Sequence, residues 1–173
     1  MEIIKATEEY KGKELVVSYL TDYYYDVKVN NFCVEFVRTP FHQTIQKKFT
    51  DSLLADWLSD PELYLVKEKD QTIGLIEISL ESWNNRLRIS NLWIHENYRH
   101  QGIGTQLIKL AEKKAIELNA RSLVLETQSC NDHAISFYLK NGFQLIGFDL
   151  TCYSNKDIDN KEVRLEMGKA VNK

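Results

Sequence analysis

The hydrophobic period of the chain changes at Gly102, and this change constrains the fold more than any other feature of the sequence. Before it, three runs of strand-type residues follow one another: Glu62–Glu68, Thr72–Ser82 and Arg86–His95. Only three residues separate each run from the next, which favours antiparallel hairpins. After it, apolar residues recur at helical spacing: Ile103, Leu107, Leu110, Ala111, Ala115 and Leu118. We therefore expect a strand meander that leads directly into a long helix ending near Asn119.

The same two periods predict the elements on either side of this segment. Upstream, strands are expected at Glu14–Tyr25 and Phe32–Val37. A short helix is expected after the caps Thr50–Ser52, with Leu53, Leu54, Trp57 and Leu58 on its apolar face. Downstream we expect a buried strand at Ser122–Thr127, a helix from Asn131 or Asp132 to Asn141 with Gly142 at its end, and strands at Phe143–Tyr153 and Glu162–Met167. This order of elements indicates an α+β fold with a mixed sheet.

Composition predicts one globular domain over residues 1–173. The hydrophobic fraction is 43%, and no repeat or linker interrupts the chain. No apolar run approaches the roughly 20 residues of a membrane helix, and the N-terminus lacks the pattern of a signal peptide. The three cysteines have no metal-ligand spacing, which suits free thiols in a reducing compartment. We expect a cytoplasmic protein that binds no metal and no membrane.

The charge distribution bears on partners. The net charge of −3 argues against a nucleic-acid binder, which usually presents a basic face. Residues 1–97 carry 16 acidic and 11 basic side chains, whereas residues 98–173 carry 9 and 11. An acidic half suits a cationic substrate and a mildly basic half suits a phosphate-bearing ligand. Chance variation between solvated faces explains the asymmetry equally well.

Gly102 and Gly104 stand at the start of the predicted long helix, just after Arg99. Free backbone N–H groups and the helix dipole make such a start a ready anion site, and glycines allow a ligand to approach the backbone. Arginine adds a fork of donors that matches phosphate oxygens. A glycine turn without a ligand has the same pattern. A Rossmann loop is excluded because Leu107 occupies the place of its third glycine, and no P-loop pattern is present.

Two motifs together resemble the GNAT acetyltransferase superfamily. The first is R-x-x-G-x-G, formed by Arg99, Gly102 and Gly104 after the strand Asn91–Ile94; it is similar to the acyl-CoA pyrophosphate loop of that superfamily. The second is NDHAISFYLKNGF, residues 131–143, which resembles the second motif of the family. The resemblance covers about residues 62 to 153. It implies a mixed, mostly antiparallel central sheet flanked by helices, which agrees with the predicted order of elements.

Further residues are similar to the streptothricin acetyltransferase group within that superfamily. They are Trp83–Asn84, Leu125–Gln128, Gly147–Asp149 and Tyr153. Two features depart from that group. Ser90–Asn91 stands where the group usually has an acidic pair, and the final strand VRLEMGK lacks its aromatic-rich ending. The departures leave the acceptor open.

The resemblance implies acetyl-CoA as co-substrate and assigns residues to it. The backbone of Leu92, Trp93 and Ile94 would pair with the pantetheine arm like an added strand. The pyrophosphate would be held by Arg99, His100, Gln101, Gly102, Ile103, Gly104 and Thr105. The thiol arm would be flanked by Asn131, Ala134, Tyr138 and Lys140. Without the resemblance, Ile94 and Ala134 would be interpreted as core residues and Asn131 as a helix cap.

The implied reaction transfers an acetyl group to a primary amine. An alkylammonium group has a pKa near 10.4, so a base must remove its proton. Glu77, Glu81 and Glu126 are candidates, and the sequence does not choose among them. Backbone N–H groups of the strand before the glycine loop would stabilise the oxyanion. Tyr138 occupies the family position of the general acid that protonates the departing thiolate.

The leading hypothesis is therefore an N-acetyltransferase acting on a streptothricin-like antibiotic or another small cationic amine. One alternative is a protein or peptide N-acetyltransferase, and another is a non-catalytic acyl-CoA-binding module. The expected partners are acetyl-CoA and a small-molecule amine, with no nucleic acid or membrane. A homodimer is left open.

Overall fold

The computed structural model describes residues 1–171 of the 173-residue chain. These residues form nine strands and three α-helices: β1 (Glu2–Lys5), β2 (Glu14–Asn30), β3 (Cys33–Ser52), β4 (Glu62–Glu68), β5 (Gln71–Glu81), β6 (Arg86–Ile94), α1 (Ile103–Glu117), β7 (Ser122–Gln128), α2 (Asp132–Lys140), β8 (Gln144–Asp149), α3 (Asp157–Asn160) and β9 (Arg164–Ala170). Seven strands form a sheet in the order β1-β4-β5-β6-β7-β9-β8, and β2 pairs with β3 in a two-stranded ribbon.

The chain contains two compact units. The first comprises Met1–Val17, Thr50–Leu125 and the chain from Lys169 onward, and the second comprises Ser18–Phe49 and Glu126–Gly168. A single domain over residues 1–173 therefore stays a prediction.

The meander predicted ahead of Gly102 lies in the first unit and is confirmed. β4, β5 and β6 pair in antiparallel order, and their ends differ from the predicted runs by at most one residue. The two hairpin turns place Lys69 and Asn85 at positive φ, 53° and 55°. β6 then pairs in parallel with β7, from Arg86 opposite Ser122 to Ile89 opposite Leu125.

The long helix α1 is also confirmed. Its buried residues are Ile103, Leu107, Ile108, Ala111 and Ala115. Ile108 thus replaces Leu110 and Leu118 of the predicted stripe, since Leu110 is half-buried and Leu118 is exposed. Asn119 has a φ of 54°, as expected of a left-handed residue that ends a helix.

The helix predicted after Thr50–Ser52 is wrong. β3 runs through Ser52, and the following residues form turns. Leu54 has a φ of 50°, and its N–H donates to Glu77 Oε1 (2.6 Å) instead of to a helical carbonyl. Leu53 and Leu54 are buried in an apolar cluster with four other leucines: Leu15, Leu63, Leu65 and Leu75. Burial against the sheet therefore outweighs a weak local helical pattern.

The β2–β3 ribbon is longer than the two strands predicted for it. β2 has 17 residues and β3 has 20, because alternating β-branched and aromatic residues continue past the predicted ends. Asn31 turns the ribbon with a φ of 53°. At its base, Gly12 N donates to Leu53 O (2.8 Å) and Leu53 N donates to Lys13 O (2.9 Å). The chain thus enters and leaves the ribbon beside these two hydrogen bonds.

The C-terminal elements are confirmed with different bounds. α2 begins after the cap Asn131, and Gly142 has a φ of 85° beyond its end. β8 stops at Asp149 instead of Tyr153, because the Tyr153 N–H donates to the buried Asp157 carboxylate of the unpredicted helix α3 (2.8 Å). β9 begins at Arg164, two residues later than expected, and extends to Ala170.

Candidate active site

The loop before α1 presents backbone N–H groups in the first unit. His100 and Gly102 have φ values of 61° and 81°, so the chain turns sharply before the helix begins. Gln106 donates the first helical hydrogen bond, to Gly102 O (3.1 Å). The N–H groups of residues 103–105 precede this bond, and no side chain caps them at the Gly102 position. This arrangement fits an anion such as a phosphate.

Arg99 connects this loop to the end of β6. Its Nε donates to Ile94 O (3.3 Å), while the side chain remains exposed. Within the loop, Gln101 Nε2 donates to Asn97 O (3.2 Å), and Asn97 N donates to His95 Nδ1 (3.3 Å). The sequence-predicted pyrophosphate residues therefore lie in this hydrogen-bonded loop and in the first turn of α1.

The predicted pantetheine strand lies at the C-terminal end of β6. Leu92, Trp93 and Ile94 face β5 residues Ile76, Leu75 and Gly74 across the antiparallel ladder. They lie past Ile89, where the parallel register with β7 in this unit ends. Their position suits an extended ligand that adds alongside the strand.

In the second unit, the start of α2 is occupied by its own side chains. Asn131 Oδ1 accepts from Ala134 N (3.3 Å), so its interpretation as a cap is confirmed. Asp132 is buried and accepts two hydrogen bonds from Arg38, from Nε (2.7 Å) and Nη2 (3.0 Å). Lys140 lies exposed in the last turn. The cofactor roles of Asn131, Ala134 and Lys140 stay predictions.

Tyr138 is buried on α2. Its ring lies 5.4 Å from that of Phe137 and 5.8 Å from that of Phe143. Burial raises the pKa of the phenol to about 12. The hydroxyl is therefore protonated throughout the physiological range and can donate a hydrogen bond to an anion. Its role as general acid stays a prediction.

Glu81, one of the candidate bases, is surrounded by cations. It pairs with Arg88 Nε and with Arg86 Nη2 (3.0 Å), and it accepts from Asn84 Nδ2 (3.2 Å). Burial acts to raise the pKa of Glu81, but the hydrogen bonds and charge of Arg88 outweigh it, and the pKa lies below its usual value. A carboxylate so stabilised is a weak base.

Glu126, another candidate base, also has a guanidinium partner. Its Oε2 lies 2.9 Å from Arg164 Nη2, and its Oε1 accepts from the Tyr153 hydroxyl (3.3 Å). Burial, together with the charge of Glu126, raises the pKa of Tyr153 above its usual value. Whether Glu81 or Glu126 acts as the base stays a prediction.

A buried hydrogen-bond network around Asn91 was not predicted from the sequence. Asn91 Nδ2 donates to Glu77 Oε2 (2.8 Å) and to Asp51 Oδ2 (3.0 Å). Glu77 is fully buried, and burial raises its pKa against the opposing hydrogen bonds from Asn91 and Leu54. From the sequence, Asp51 was interpreted as a helix cap, so its contact with β6 was not predicted. Assigning the preceding residues to a strand would have been the signal that Asp51 lies on β3.

A comparison of the chain with models of known protein families tests the interpretation of these elements and motifs. Residues 30–143 match the model of the acetyltransferase (GNAT) family. This chain belongs to the GNAT acetyltransferase family. The predicted family is thereby confirmed, and GNAT acetyltransferases use acetyl-CoA, the co-substrate that the sequence implied.

Two curated proteins illustrate the range of GNAT relatives. Streptothricin acetyltransferase A of Bacillus subtilis is 35% identical over 92 residues, which are 53% of this chain and 53% of that protein. N-alpha-acetyltransferase 30 of Dictyostelium discoideum is 39% identical over 90 residues, 50% of this chain and 48% of that protein. The chain spans about half the length of the curated relatives it matches.

Solved structures of GNAT proteins share the fold. A nourseothricin acetyltransferase is 24% identical, with a TM-score of 0.83, over 99% of this chain and 98% of its own. Ard1 from Thermoplasma volcanium is 27% identical, with a TM-score of 0.56, over 68% of this chain and 74% of its own. The predicted α+β class with a mixed sheet is confirmed by these neighbours and by the strand order.

Two further observations concern residues 1–171. No helix among them is long and apolar enough to cross a membrane. Within the same residues, no group of three or more His, Cys, Asp or Glu side chains is arranged to hold a metal ion.

Proposed function

We propose that this GNAT protein transfers an acetyl group from acetyl-CoA to the primary amine of a small cationic acceptor. The observation that carries the proposal is the hydrogen-bonded loop between β6 and α1, whose backbone N–H groups at the helix start have no side-chain cap and follow an exposed arginine. The pyrophosphate binds this loop through Arg99 to Thr105, and the pantetheine arm adds along Leu92–Ile94.

The chemistry follows from general properties of acyl transfer. After the ammonium loses a proton, the nitrogen lone pair attacks the thioester carbon and a C–N bond forms. Backbone N–H groups of β6 stabilise the oxyanion. The C–S bond then breaks, and its electron pair goes to sulfur. Tyr138 gives its proton to sulfur as nitrogen releases its second proton to restore the phenol.

The raised pKa of Tyr138 bears on this last step. A thiol has a pKa near 8.5, so a phenol with a pKa of about 12 is the weaker acid. Transfer to the thiolate is favourable only when the phenol regains a proton at once. We therefore place Tyr138 as a hydrogen-bond donor and proton carrier between nitrogen and sulfur.

Streptothricin-like antibiotics are the acceptors we favour, with antibiotic resistance as the biological role. The B. subtilis relative supports this choice, and so does the match of fold to the nourseothricin acetyltransferase over 99% of the chain, which includes the β2–β3 ribbon. Ard1 matches only 68% of the chain. The excess of acidic over basic side chains in residues 1–97 suits a cationic acceptor.

Acetylation of a protein N-terminus or lysine is the second candidate, favoured by the 39% identity to N-alpha-acetyltransferase 30. It predicts turnover of peptides and none of streptothricin. A non-catalytic acyl-CoA-binding module would bind acetyl-CoA and release no thiol. The cytoplasmic location, the homodimer and the absence of nucleic-acid, membrane and metal partners stay predictions.

One experiment separates these functions. Acetyl-CoA-dependent thiol release is measured with streptothricin, aminoglycosides, polyamines and peptides, while a melting curve reports acetyl-CoA binding. We expect release with streptothricin and a raised melting temperature with acetyl-CoA. Release with peptides alone supports protein acetylation. A melting shift without release from any acceptor supports the binding module, and no shift at all contradicts acetyl-CoA binding.

A further inference from the structure

The proposed reaction leaves the group that removes the amine's proton unassigned. Glu81 and Glu126 each lie within 3.0 Å of an arginine nitrogen, so each is already paired with a cation. For Glu81 the arginines hold the pKa below its usual value. Glu77 is fully buried, so an acceptor cannot reach it directly. Each of the three sequence-predicted carboxylates is therefore either paired with an arginine or closed to direct contact with the acceptor.

Asp51 differs from these three carboxylates. It is partly buried at the end of β3, and its Oδ1 accepts from Ser52 N (2.8 Å) while its Oδ2 accepts from Asn91 Nδ2 (3.0 Å). Within residues 1–171, every hydrogen bond recorded for this carboxylate comes from a neutral donor. Its negative charge is therefore not already neutralised by a cation.

Asn91 fixes Asp51 beside the proposed reaction centre. Asn91 lies on β6 directly before Leu92–Ile94, the segment proposed to pair with pantetheine. Its amide is held from behind by Glu77 Oε2 (2.8 Å), and Glu77 is its partner across the β5–β6 ladder. Glu77 Oε1 in turn accepts from Leu54 N (2.6 Å), which anchors the turn that follows Asp51. A single amide thus orients two carboxylates.

We propose that Asp51 accepts the proton of the acceptor amine, and that Asn91 and Glu77 are positioning residues that hold it for this step. The inference rests on the proposed acetyltransferase function. A lone pair of an Asp51 oxygen takes one proton from the ammonium group, and the nitrogen lone pair that this frees then attacks the thioester carbon. The resulting carboxylic acid returns that proton to water, while the second nitrogen proton restores Tyr138.

The surroundings of Glu77 define the pH response of this network. Four elements surround Glu77. β3 contributes Asp51, the turn after β3 contributes the Leu54 N–H, β4 contributes Leu63, and β6 contributes the Asn91 amide. Protonation of Glu77 removes its charge and weakens the hydrogen bond that it accepts from Asn91, which loosens the hold of Asn91 on Asp51. Activity is therefore expected to fall on the acid side as Glu77 takes up a proton.

The primary test compares D51N with the matched variant D56N. Asp56 lies in the same segment, is exposed and pairs with Lys11, so D56N should retain wild-type rates. General-base catalysis contributes about 10²–10⁴-fold, and D51N should lose this much kcat/KM for the amine at pH 7. The loss should shrink as pH rises toward the amine's own pKa, because the acceptor then deprotonates without help. A loss below threefold, or one that is constant with pH, overturns the base assignment.

A double-mutant cycle tests the positioning role. E77Q places an amide donor against Asn91 Nδ2, so Asn91 must turn and release Asp51. We expect E77Q to lower kcat about tenfold, and D51N/E77Q to be no slower than D51N, because both changes remove one function. Losses that multiply in the double variant would contradict the positioning role, since a purely structural Glu77 acts independently of Asp51.

The outcome of this test is separable from that of the proposed function. Each variant is first checked for the acetyl-CoA melting shift of the wild type, which shows that the fold and cofactor loop are retained. If the wild type releases no thiol with any amine, the proposed function fails. If the wild type is active and D51N matches it, only the assignment of Asp51 fails.

Discussion

The two longer helices of the chain begin in opposite ways. α1 starts at Gly102, with a left-handed φ of 81°, no side-chain cap and no acidic residue in its first turn. α2 starts at Asn131, whose side chain caps the helix, and its first turn contains Asp132 bound by Arg38. The first turn of α2 is thus satisfied by side chains of the protein itself, whereas the first turn of α1 has no such partner, and we propose that a ligand anion binds there. The contrast teaches that a helix start can offer an anion site only where its own side chains leave the backbone N–H groups uncapped.

A test of Tyr138 sharpens this comparison most. If Tyr138 is the general acid, α2 contributes a chemical group to the reaction, whereas α1 contributes a binding site. Y138F removes one hydroxyl and keeps the packed ring, so we expect kcat to fall about 10²–10⁴-fold. The melting shift with acetyl-CoA should persist. Y10F, which alters a partly buried tyrosine of the leucine cluster, is the matched control. A loss of less than threefold, with chemistry shown to limit the rate, would contradict the acid role.

Closing the start of α1 should break the contrast. G104V places a β-branched side chain where the pyrophosphate approaches, and we expect acetyl-CoA binding to be lost. At 100 times Kd, a ligand stabilises a protein by about 2.7 kcal/mol, which raises Tm by about 5–10 °C. That rise should vanish in G104V. It should remain in G147A, whose added Cβ meets Glu166 at an ordinary 3.7 Å. An unchanged rise in G104V would mean that the loop is only a turn.

Prediction from the sequence succeeded where structure depends on local interactions and failed where it depends on residues distant along the chain. The β4–β6 meander and α1 were predicted closely because adjacent residues specify their period, turns and ends. The turn after β3 was not, because Leu54 gives its N–H to Glu77, 23 residues away. Candidate carboxylates could be named from the sequence, but their arginine partners and the burial of Glu77 depend on pairing between strands.

Opening the start of α2 should have a smaller effect, on stability. N131A removes the cap, and loss of an N-cap costs about 1 kcal/mol, so Tm should fall by about 2–4 °C. N131D supplies an equivalent oxygen and should retain most of this stability. Thermal denaturation of both variants measures the difference. Equal stability of N131A and the wild type would show that the cap is replaced by water.

The smallest expected effect concerns Glu77. It is a buried carboxylate with neutral donors, unlike Asp132, which is paired with an arginine. Burial raises the pKa of Glu77 above that of the unfolded chain. The contribution of Glu77 to stability is therefore fully present below about pH 4.5 and is lost as pH rises through the raised pKa. E77Q removes this titration. The free energy of unfolding of E77Q, relative to that of the wild type, should therefore increase as pH rises from about 4.5 through the raised pKa. Urea denaturation at several pH values measures it, and a constant difference would contradict a raised pKa.

The closed base of the β2–β3 ribbon has a consequence for how such a chain can diversify. Because Gly12, Lys13 and Leu53 are hydrogen-bonded to one another, everything between them is an excursion with fixed ends. Doubling the length of a flexible excursion costs only about 0.6 kcal/mol in closure entropy. Insertions and deletions there leave the path of the flanking chain unchanged. Apart from residues with partners outside the excursion, such as Asp51 and Arg38, natural variation in length and sequence can therefore accumulate there while the strands that follow keep their register.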